Sequence, residues 1–182
     1  MSSLHTHSGD GPIPARIMLV GEAWGVEEER TLLPFQGSSG MELSRMLHEA
    51  GIMRSECYAT NVVNCRPPSN LLEHWLTGKR KDIKPTMRQL RELWAEPILH
   101  QGFARLLQEI HEVKPNVIVA LGNTAMWALT GNKGVTKWRG SQLQCSIPRA
   151  LYPPGLLDQK DEPRTGKMIP MLHPSQILRD FS

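Results

Sequence analysis

Short apolar runs alternate with helix-length segments along the first third of the chain. Residues 16–20, RIMLV, lead into a glycine and predict a buried parallel strand. Over residues 38–51, apolar side chains recur at helical spacing, with serine at the start and glycine at the end, which predicts a helix. Residues 57–65, CYATNVVNC, predict a second strand, and the RPPSN that follows ends it.

The remaining two thirds continue this alternation. Residues 71–113 are polar and fit two or three helices, over 71–76, 86–100 and 102–113, with a basic loop near the start. PNVIVALG, which begins at Pro115, is the clearest buried strand. NTAMWALTG then predicts a short helix, SQLQCSI an edge strand, and KMIPMLHPSQILRD a last strand followed by a turn and a helix start.

Alternating strands and helices predict the α/β class. We expect a three-layer α/β/α fold with a central, mostly parallel, four-stranded sheet. A flexible leader over residues 1–15 precedes a single domain over 16–182, which carries a helical insertion at about 71–113.

Composition limits the class of protein. The 182 residues are 40% hydrophobic and 21% charged, as in ordinary globular proteins, and contain no apolar run long enough for a membrane span. The net charge of +3 is compatible with a nucleic-acid partner. Three cysteines without a C-x-x-C pair and no signal-peptide core favour a reduced, cytoplasmic protein, and we expect a monomer.

Candidate chemistry follows the predicted strands, whose carboxyl ends share one edge of such a sheet. Glu22 and Glu28 follow the first strand with Phe35 beyond them, Asn61 lies in the second, and His173 follows the last. Each has an ordinary alternative when taken alone: a solvated acidic loop, an asparagine that caps its own turn, and a loop histidine without a task.

Four segments, taken in order, resemble motifs of a single family. They are GEAWGVEEERTLLPFQGSSGMELSRML (21–47), TNVVNCRPP (60–68), KPNVIVALGNTAMWALTG (114–131) and MLHPSQILRD (171–180). Together they resemble the uracil-DNA glycosylase superfamily, most closely its family 4 type, with the motifs G-E-x-P-G-x-x-E, P-F-x-G-x-x-G, T-N-x-x-K-C-R-P-P and H-P-S. The likeness extends from Arg16 to Asp180.

The resemblance implies how a base is held and released. Phe35 would stack on a flipped-out base, Asn61 would read the N3–H and O4 edge of uracil, and His173 would stabilise charge on the leaving base near O2. Gly21 and Ala23 would shape the pocket floor.

The resemblance also implies a task for the acidic turn. Carboxylates repel phosphate, but they stabilise the sugar cation that forms as an N-glycosidic bond breaks. Glu22 and Glu28 match the family's carboxylates; one assists water or stabilises the cation, and Glu28 is slightly favoured for the water role.

The DNA backbone would lie outside this pocket. Ser175 and Arg179 would contact phosphates, and Ile177 or Leu178 would wedge into the gap left by the base. A basic cluster elsewhere has either phosphate contact or simple solvation as its explanation: Lys79, Arg80, Lys81 and Lys84.

The chain departs from the family pattern at two places. Family 4 members usually hold a 4Fe–4S cluster on four cysteines, of which only Cys65 is matched here, so we expect no cluster, no other cofactor and no metal. Trp24 replaces the proline of the first motif and would narrow the pocket or stack on a base.

The expected function is that of a monofunctional DNA glycosylase, which hydrolyses the N-glycosidic bond of uracil, or of a related damaged or modified base, flipped out of DNA. The partner would be single- or double-stranded DNA, in the nucleoid of a bacterial or phage-infected cell. One alternative is a non-cleaving module that binds DNA or a modified base on the same fold. Another is a nucleotide-binding or structural α/β domain without base chemistry.

Overall fold

Strands and helices alternate along residues 7–151 and 166–180, the part of the chain that the computed structural model describes. The strands are β1 (Ile17–Ala23), β2 (Cys57–Val63), β3 (Leu76–Thr77), β4 (Arg88–Leu90), β5 (Leu93–Ala95), β6 (Val117–Leu121), β7 (Leu143–Gln144) and β8 (Lys167–Met171). The α-helices are α1 (Val26–Thr31), α2 (Ser38–Glu49), α3 (Pro97–Val113), α4 (Asn123–Thr130), α5 (Val135–Trp138) and α6 (Pro174–Asp180). None of the helices in these two ranges has the length and apolar character that crossing a bilayer requires.

The central sheet has the strand order β2-β1-β6-β8-β7. Strands β2, β1, β6 and β8 are parallel, while β7 pairs with β8 in the antiparallel sense. The predicted α/β class and mostly parallel sheet are confirmed, but the predicted count of four strands is wrong, since the described residues contribute five. The fifth is the edge strand β7, which lies in the SQLQCSI segment where the sequence predicts an edge strand.

Helices cover both faces of this sheet. Successive side chains of β1 point to opposite faces, and those on each face are apolar and are buried against helices. Met18 and Val20 join the larger core, which also holds the buried side chains of α3 and α4. Leu19, between them, joins a smaller core with Leu43 and Leu47 of α2. Because β2, β1, β6 and β8 are parallel, their carboxyl ends all lie at one edge of the sheet.

The insertion predicted to be helical over residues 71–113 contains the long helix α3 and two short 3-10 helices, Leu72–His74 and Arg80–Asp82, but the helix predicted to begin at residue 86 is wrong as far as residue 96. A second, antiparallel sheet of order β3-β5-β4 occupies 76–95, and only α3 is a long helix. Leu90 pairs with Leu93, and Arg91 takes a positive φ of 54° in the two-residue turn between them. The turn therefore carries none of the glycine or asparagine signals that usually mark a hairpin.

The amino-terminal segment is held against β2 rather than free, so the prediction of a flexible leader is wrong for residues 7–15. Asp10 and Ala59 exchange two backbone hydrogen bonds of 2.8 Å, and the His7 N–H donates to Asn64 O at 3.1 Å. Because β2 is an edge strand, these bonds satisfy backbone groups that its sheet partner leaves open. Residues 1–6, including His5, lie outside the described part.

Close packing between α3 and β2 generates a first prediction, at Gly102. A β-carbon there would lie 2.7 Å from the Val62 carbonyl oxygen and 3.1 Å from the Val63 Cα. Alanine normally stabilises a helix by about 1 kcal/mol over glycine, but overpacking of this kind costs roughly 1–3 kcal/mol. We expect Gly102→Ala to lower the free energy of unfolding in urea.

The matched control is Gly166→Ala, where no atom of the described residues, apart from the glycine and its chain neighbours, lies within 4 Å of the added carbon. This variant should unfold at the urea concentration of the wild type. A Gly102→Ala protein as stable as the wild type would contradict the backbone contact.

Candidate active site

A cavity of about 530 Å³ opens at the carboxyl-terminal edge of the central sheet. Chain segments at the ends of β1, β2, β6 and β8 all contribute to its wall, as the topology of a parallel sheet requires. Nine of the residues selected from the sequence line it: Glu22, Ala23, Trp24, Glu28, Phe35, Asn61, His173, Ser175 and Arg179.

Gly21 lies beneath two of these side chains. It pairs in register with Asn61 on the neighbouring strand, and a β-carbon on Gly21 would lie 2.3 Å from Asn61 Oδ1 and 2.9 Å from Phe35 Cζ. Phe35 itself takes a positive φ of 57°, and Gly40 lets its carbonyl approach so closely that a β-carbon would clash with it. Two glycines thus let the ring and the amide meet at one place.

The Glu28 carboxylate organises the loop that carries Phe35. Its Oε1 accepts the backbone N–H groups of Gln36 at 2.7 Å and Gly37 at 3.0 Å, while Oε2 accepts that of Gly25 at 3.0 Å. Burial alone would raise the pKa of this carboxyl, but the backbone amides together hold the pKa below its ordinary value. Glu28 therefore ties the start of α1 to the start of α2.

Glu22 is held differently. In the described part of the chain its one hydrogen bond is that of Oε2 with the hydroxyl of Thr124, the second residue of α4. Glu22 is partly exposed and lines the cavity. Its other carboxylate oxygen stays available to a molecule in the cavity.

Asn61 is buried, with 2% of its surface exposed. Its backbone N–H and its amide nitrogen both donate to Asn64 Oδ1 at 3.0 Å, and Arg105 Nη2 donates to its carbonyl oxygen at 2.6 Å. Arg105 is in turn paired with Glu109 at 2.5 Å. The end of β2 is thus held by side chains from two directions.

His173 presents a neutral ring. Its Nδ1 accepts the backbone N–H of Ser175 at 3.2 Å and lies 2.8 Å from the Ser175 hydroxyl oxygen. Because a backbone N–H only donates, Nδ1 is unprotonated and the neutral ring carries its hydrogen on Nε2. Burial lowers the pKa of His173, the positive charge of Arg179 lowers it further, and the negative charge of Glu28 opposes them.

Some of the selected residues lie away from the cavity wall. Ile177 and Leu178 are on α6 beside Arg179 but do not line the cavity. A basic group between β3 and β4 does not line it either: Lys79, Arg80 and Lys81.

The structure adds residues that the sequence did not single out, some of which hold a residue of the cavity wall while others line the wall themselves. Thr124 holds Glu22, and its position just after the end of β6 was the available signal, because all strand ends of this sheet meet here. Nothing in the sequence indicated that Asn64 would hold the Asn61 amide. Others that line the wall are Ser39, Pro67, Asn70, Asn123, Val135 and Gln176.

The three cysteines do not fit an iron–sulfur cluster, which takes four thiolate ligands. All three are buried, and within residues 7–151 and 166–180 no group of three or more His, Cys, Asp or Glu side chains is placed to hold a metal ion. Burial raises the pKa of Cys65 to about 11. Next to it, the backbone N–H of Trp24 donates to the Cys65 carbonyl oxygen at 3.3 Å, and the His7 ring stacks on the Trp24 indole at a centroid distance of 4.8 Å.

Comparison with known proteins gives one consistent result. Residues 8–182 match the family model described as the uracil DNA glycosylase superfamily. A type-4 uracil-DNA glycosylase of Thermotoga maritima is 37% identical over 176 residues, which cover 96% of this chain and 72% of that protein.

Two archaeal proteins of the same description are also similar. The type-4 uracil-DNA glycosylase of Pyrobaculum aerophilum is 32% identical over 66% of this chain and 51% of its own length. That of Archaeoglobus fulgidus is 34% identical over 64% of this chain and 48% of its own length. The chain thus spans about half the length of these two relatives.

The three amide bonds of Glu28 generate a second prediction. Glu28→Gln should lower the free energy of unfolding at neutral pH by about 1–3 kcal/mol, since the new amide nitrogen faces a backbone donor. The pKa of Glu28 is lowered in the fold, so the stabilisation is complete above the ordinary carboxyl pKa and is lost as the pH falls from there through the lowered pKa of the folded state. Urea unfolding at about pH 7, 4 and 3 should therefore show the difference in unfolding free energy between the two proteins shrinking at the two lower values.

Glu27→Gln is the matched control, because Glu27 makes only an exposed ion pair with Arg30 and bonds on its own helix. It should change stability by less than about 0.5 kcal/mol. Equal effects of the two substitutions would show that Glu28 is not the link between the loops.

Proposed function

Because the chain belongs to the uracil DNA glycosylase superfamily, we propose that it hydrolyses the N-glycosidic bond of uracil in DNA. The products would be free uracil and an abasic site. The observation that carries the proposal is that Glu22, Phe35, Asn61 and His173 line a single cavity at the end of the parallel sheet.

The base would enter this cavity by leaving the DNA stack. Extruding a base costs a few kcal/mol, and stacking on the Phe35 ring offsets part of that cost. Asn61 Oδ1 lies beside the same ring over Gly21 and would accept the N3–H of uracil. The space above Gly21 therefore suits a flat ring with a donor at N3.

His173 would stabilise the departing base. The neutral ring carries a hydrogen on Nε2, which would donate to uracil O2 as negative charge develops there. A neutral donor needs no proton from solvent to be active. Ser175, which bonds Nδ1, would orient the ring and is proposed to touch the DNA backbone as well.

A carboxylate would serve the sugar. As the bond from C1′ to N1 breaks, its electron pair leaves with the base and positive charge develops on the sugar. Water adds its oxygen to C1′ and gives up a proton to solvent, and the uracil anion takes up a proton as it is released, so that both products are neutral. We favour Glu22 for guiding this water, since one of its oxygens has no partner within the described residues, whereas both oxygens of Glu28 hold backbone amides.

Phosphate contacts would surround the cavity. Arg179 is an exposed cation at its wall, and Ile177 and Leu178 follow one another on the same short helix as candidates for a wedge. The basic group formed by Lys79, Arg80 and Lys81 would reach more distant phosphates. The protein would act as a monomer on nucleoid DNA.

Excision of uracil is the direct test, and it forms a third prediction. Oligonucleotides with a single uracil, single- and double-stranded, are incubated with the protein and then cleaved with alkali at abasic sites. Asn61→Ala and His173→Ala should each slow excision by about 100-fold or more, because each removes a group that contacts the reacting base.

Matched controls are Asn116→Ala and His48→Ala, which remove the same side chains from exposed positions outside the cavity wall. Both should excise at the wild-type rate. Absence of base release by the wild type would contradict the proposal, and tight binding of uracil-containing DNA without release would support the non-cleaving alternative instead.

The protonation state of His173 generates a fourth prediction. Its pKa is lowered, so the neutral donor persists as the pH falls below the ordinary histidine pKa, and single-turnover excision should stay near its plateau there. His173→Gln supplies a neutral N–H that does not titrate, and it should retain a rate about 10–100-fold below the wild type. A wild-type rate that rises on acidification through the ordinary histidine pKa would assign the work to the imidazolium form.

A further inference from the structure

A continuous set of hydrogen bonds joins Asn61 to the amino-terminal segment through Asn64. Asn64 is fully buried, with 0% of its surface exposed. Its Oδ1 accepts the backbone N–H and the amide nitrogen of Asn61, both at 3.0 Å. Its Nδ2 donates to the His7 carbonyl oxygen at 2.9 Å and to the Thr60 hydroxyl oxygen at 3.1 Å.

Two of these partners act in only one direction. A backbone carbonyl only accepts, so the His7 oxygen requires the nitrogen of Asn64 on its side. A backbone N–H only donates, so that of Asn61 requires the oxygen of Asn64 on the other side. The main chain therefore fixes which way the Asn64 amide points.

The direction of Asn64 then determines that of Asn61. An amide oxygen only accepts, so Asn61 must present its nitrogen to Asn64 and keep its own oxygen on the opposite side. That oxygen lies over Gly21 beside the Phe35 ring. A base in this space meets an acceptor, which suits the N3–H of uracil and opposes the unprotonated N3 of cytosine.

We infer that Asn64 is a positioning residue for base selection, which holds the Asn61 amide in the orientation that accepts uracil and rejects cytosine. The inference rests on the proposed function. The motif T-N-x-x-K-C-R-P-P that this segment resembles has a lysine where this chain has Asn64, and an ammonium group has no acceptor to offer Asn61.

The amino-terminal segment is part of the device. The His7 ring stacks on Trp24 with an interplanar angle of 17°, and the Gly9 N–H donates to Glu109 Oε1 at 2.7 Å. The backbone pairing of Asp10 with Ala59 adds a third attachment. These contacts hold the His7 carbonyl where the Asn64 nitrogen needs it.

Binding selectivity tests the inference without depending on turnover. The probes are two otherwise identical duplexes that resist hydrolysis, with either 2′-fluoro-2′-deoxyuridine or 2′-fluoro-2′-deoxycytidine at the target position. The quantity measured is the ratio of the two Kd values, for the wild type, Asn64→Ala, Asn64→Asp, Asn61→Ala and the double variant Asn61→Ala with Asn64→Ala. Asn116→Ala is the matched control, and uracil release by the wild type is measured in parallel.

Three results would support the inference. The wild type and Asn116→Ala prefer the uridine duplex by at least about tenfold, and Asn64→Ala loses most of that preference. Asn64→Asp, which keeps an acceptor toward Asn61 but loses the donor toward His7, retains the preference even if its thermal stability falls. In the Asn61→Ala background, the additional Asn64→Ala change alters the ratio by less than about twofold, because Asn64 acts only through Asn61.

Other results would overturn it. Asn64 has a merely structural role if the preference for uridine survives in Asn64→Ala or is lost equally in Asn64→Asp. The same holds if Asn64→Ala lowers the preference by the same factor in the presence and in the absence of the Asn61 side chain. A wild type that releases uracil but binds both duplexes equally also refutes it, while the proposed function stands. A wild type that prefers the uridine duplex without releasing uracil refutes the proposed hydrolysis alone.

Discussion

The cavity depends on the absence of a side chain at Gly21, in strand β1. At Gly21 the Phe35 ring and the Asn61 amide both come closer to the strand than a β-carbon allows, since that carbon would lie 2.3 Å from Asn61 Oδ1. The register of β1 against β2 sets Gly21 opposite Asn61, and the Glu28 carboxylate fixes the loop that brings Phe35 over both. The Asn61 amide is therefore positioned by the sheet, and the Phe35 ring by the loop that Glu28 holds against it.

Charge is distributed across this cavity in a way that suits glycosidic bond cleavage. Glu22 at the end of β1 and Glu28 on α1 line the same cavity as the neutral ring of His173. Two opposite charges develop as a glycosidic bond breaks, positive on the sugar and negative on the base. In the proposed function a carboxylate and a neutral N–H would meet these two demands without a proton being exchanged between them.

The sequence predicted the structure well where an apolar pattern is long, and where the topology of a parallel sheet brings the ends of several strands together. Buried strands in a parallel sheet read as apolar runs, so β1, β2, β6 and β8 were recognisable, and the ends of β1, β2 and β8 bring Glu22, Asn61 and His173 to one edge. The small antiparallel sheet was not recognisable from the sequence, because its strands are two or three residues long. Its turn also places Arg91 at a positive φ, which glycine adopts more readily. Short strands and uncommon turn residues leave no periodic signal.

Contacts between a side chain and distant main chain were also beyond the sequence. The carboxylate of Glu28 reaches amides eight and nine residues ahead, and Thr124 meets Glu22 from 102 residues away. The pairing of Asp10 with Ala59 uses backbone atoms alone, which every residue but proline carries alike. Such interactions depend on where the chain is placed in space and not on which residues are near in order.

Burial of the three thiols affects how readily the cysteines are oxidised. Burial raises the pKa of Cys57, and it raises the pKa of Cys65 and of Cys145 to about 11, so at neutral pH these sulfurs are almost entirely protonated. Peroxides and alkylating agents react with thiolates, and they reach buried sulfur slowly. The three cysteines are therefore poor targets for oxidants and alkylating agents at neutral pH, and the exposed thioethers of Met41 and Met53 are the more accessible sulfur atoms.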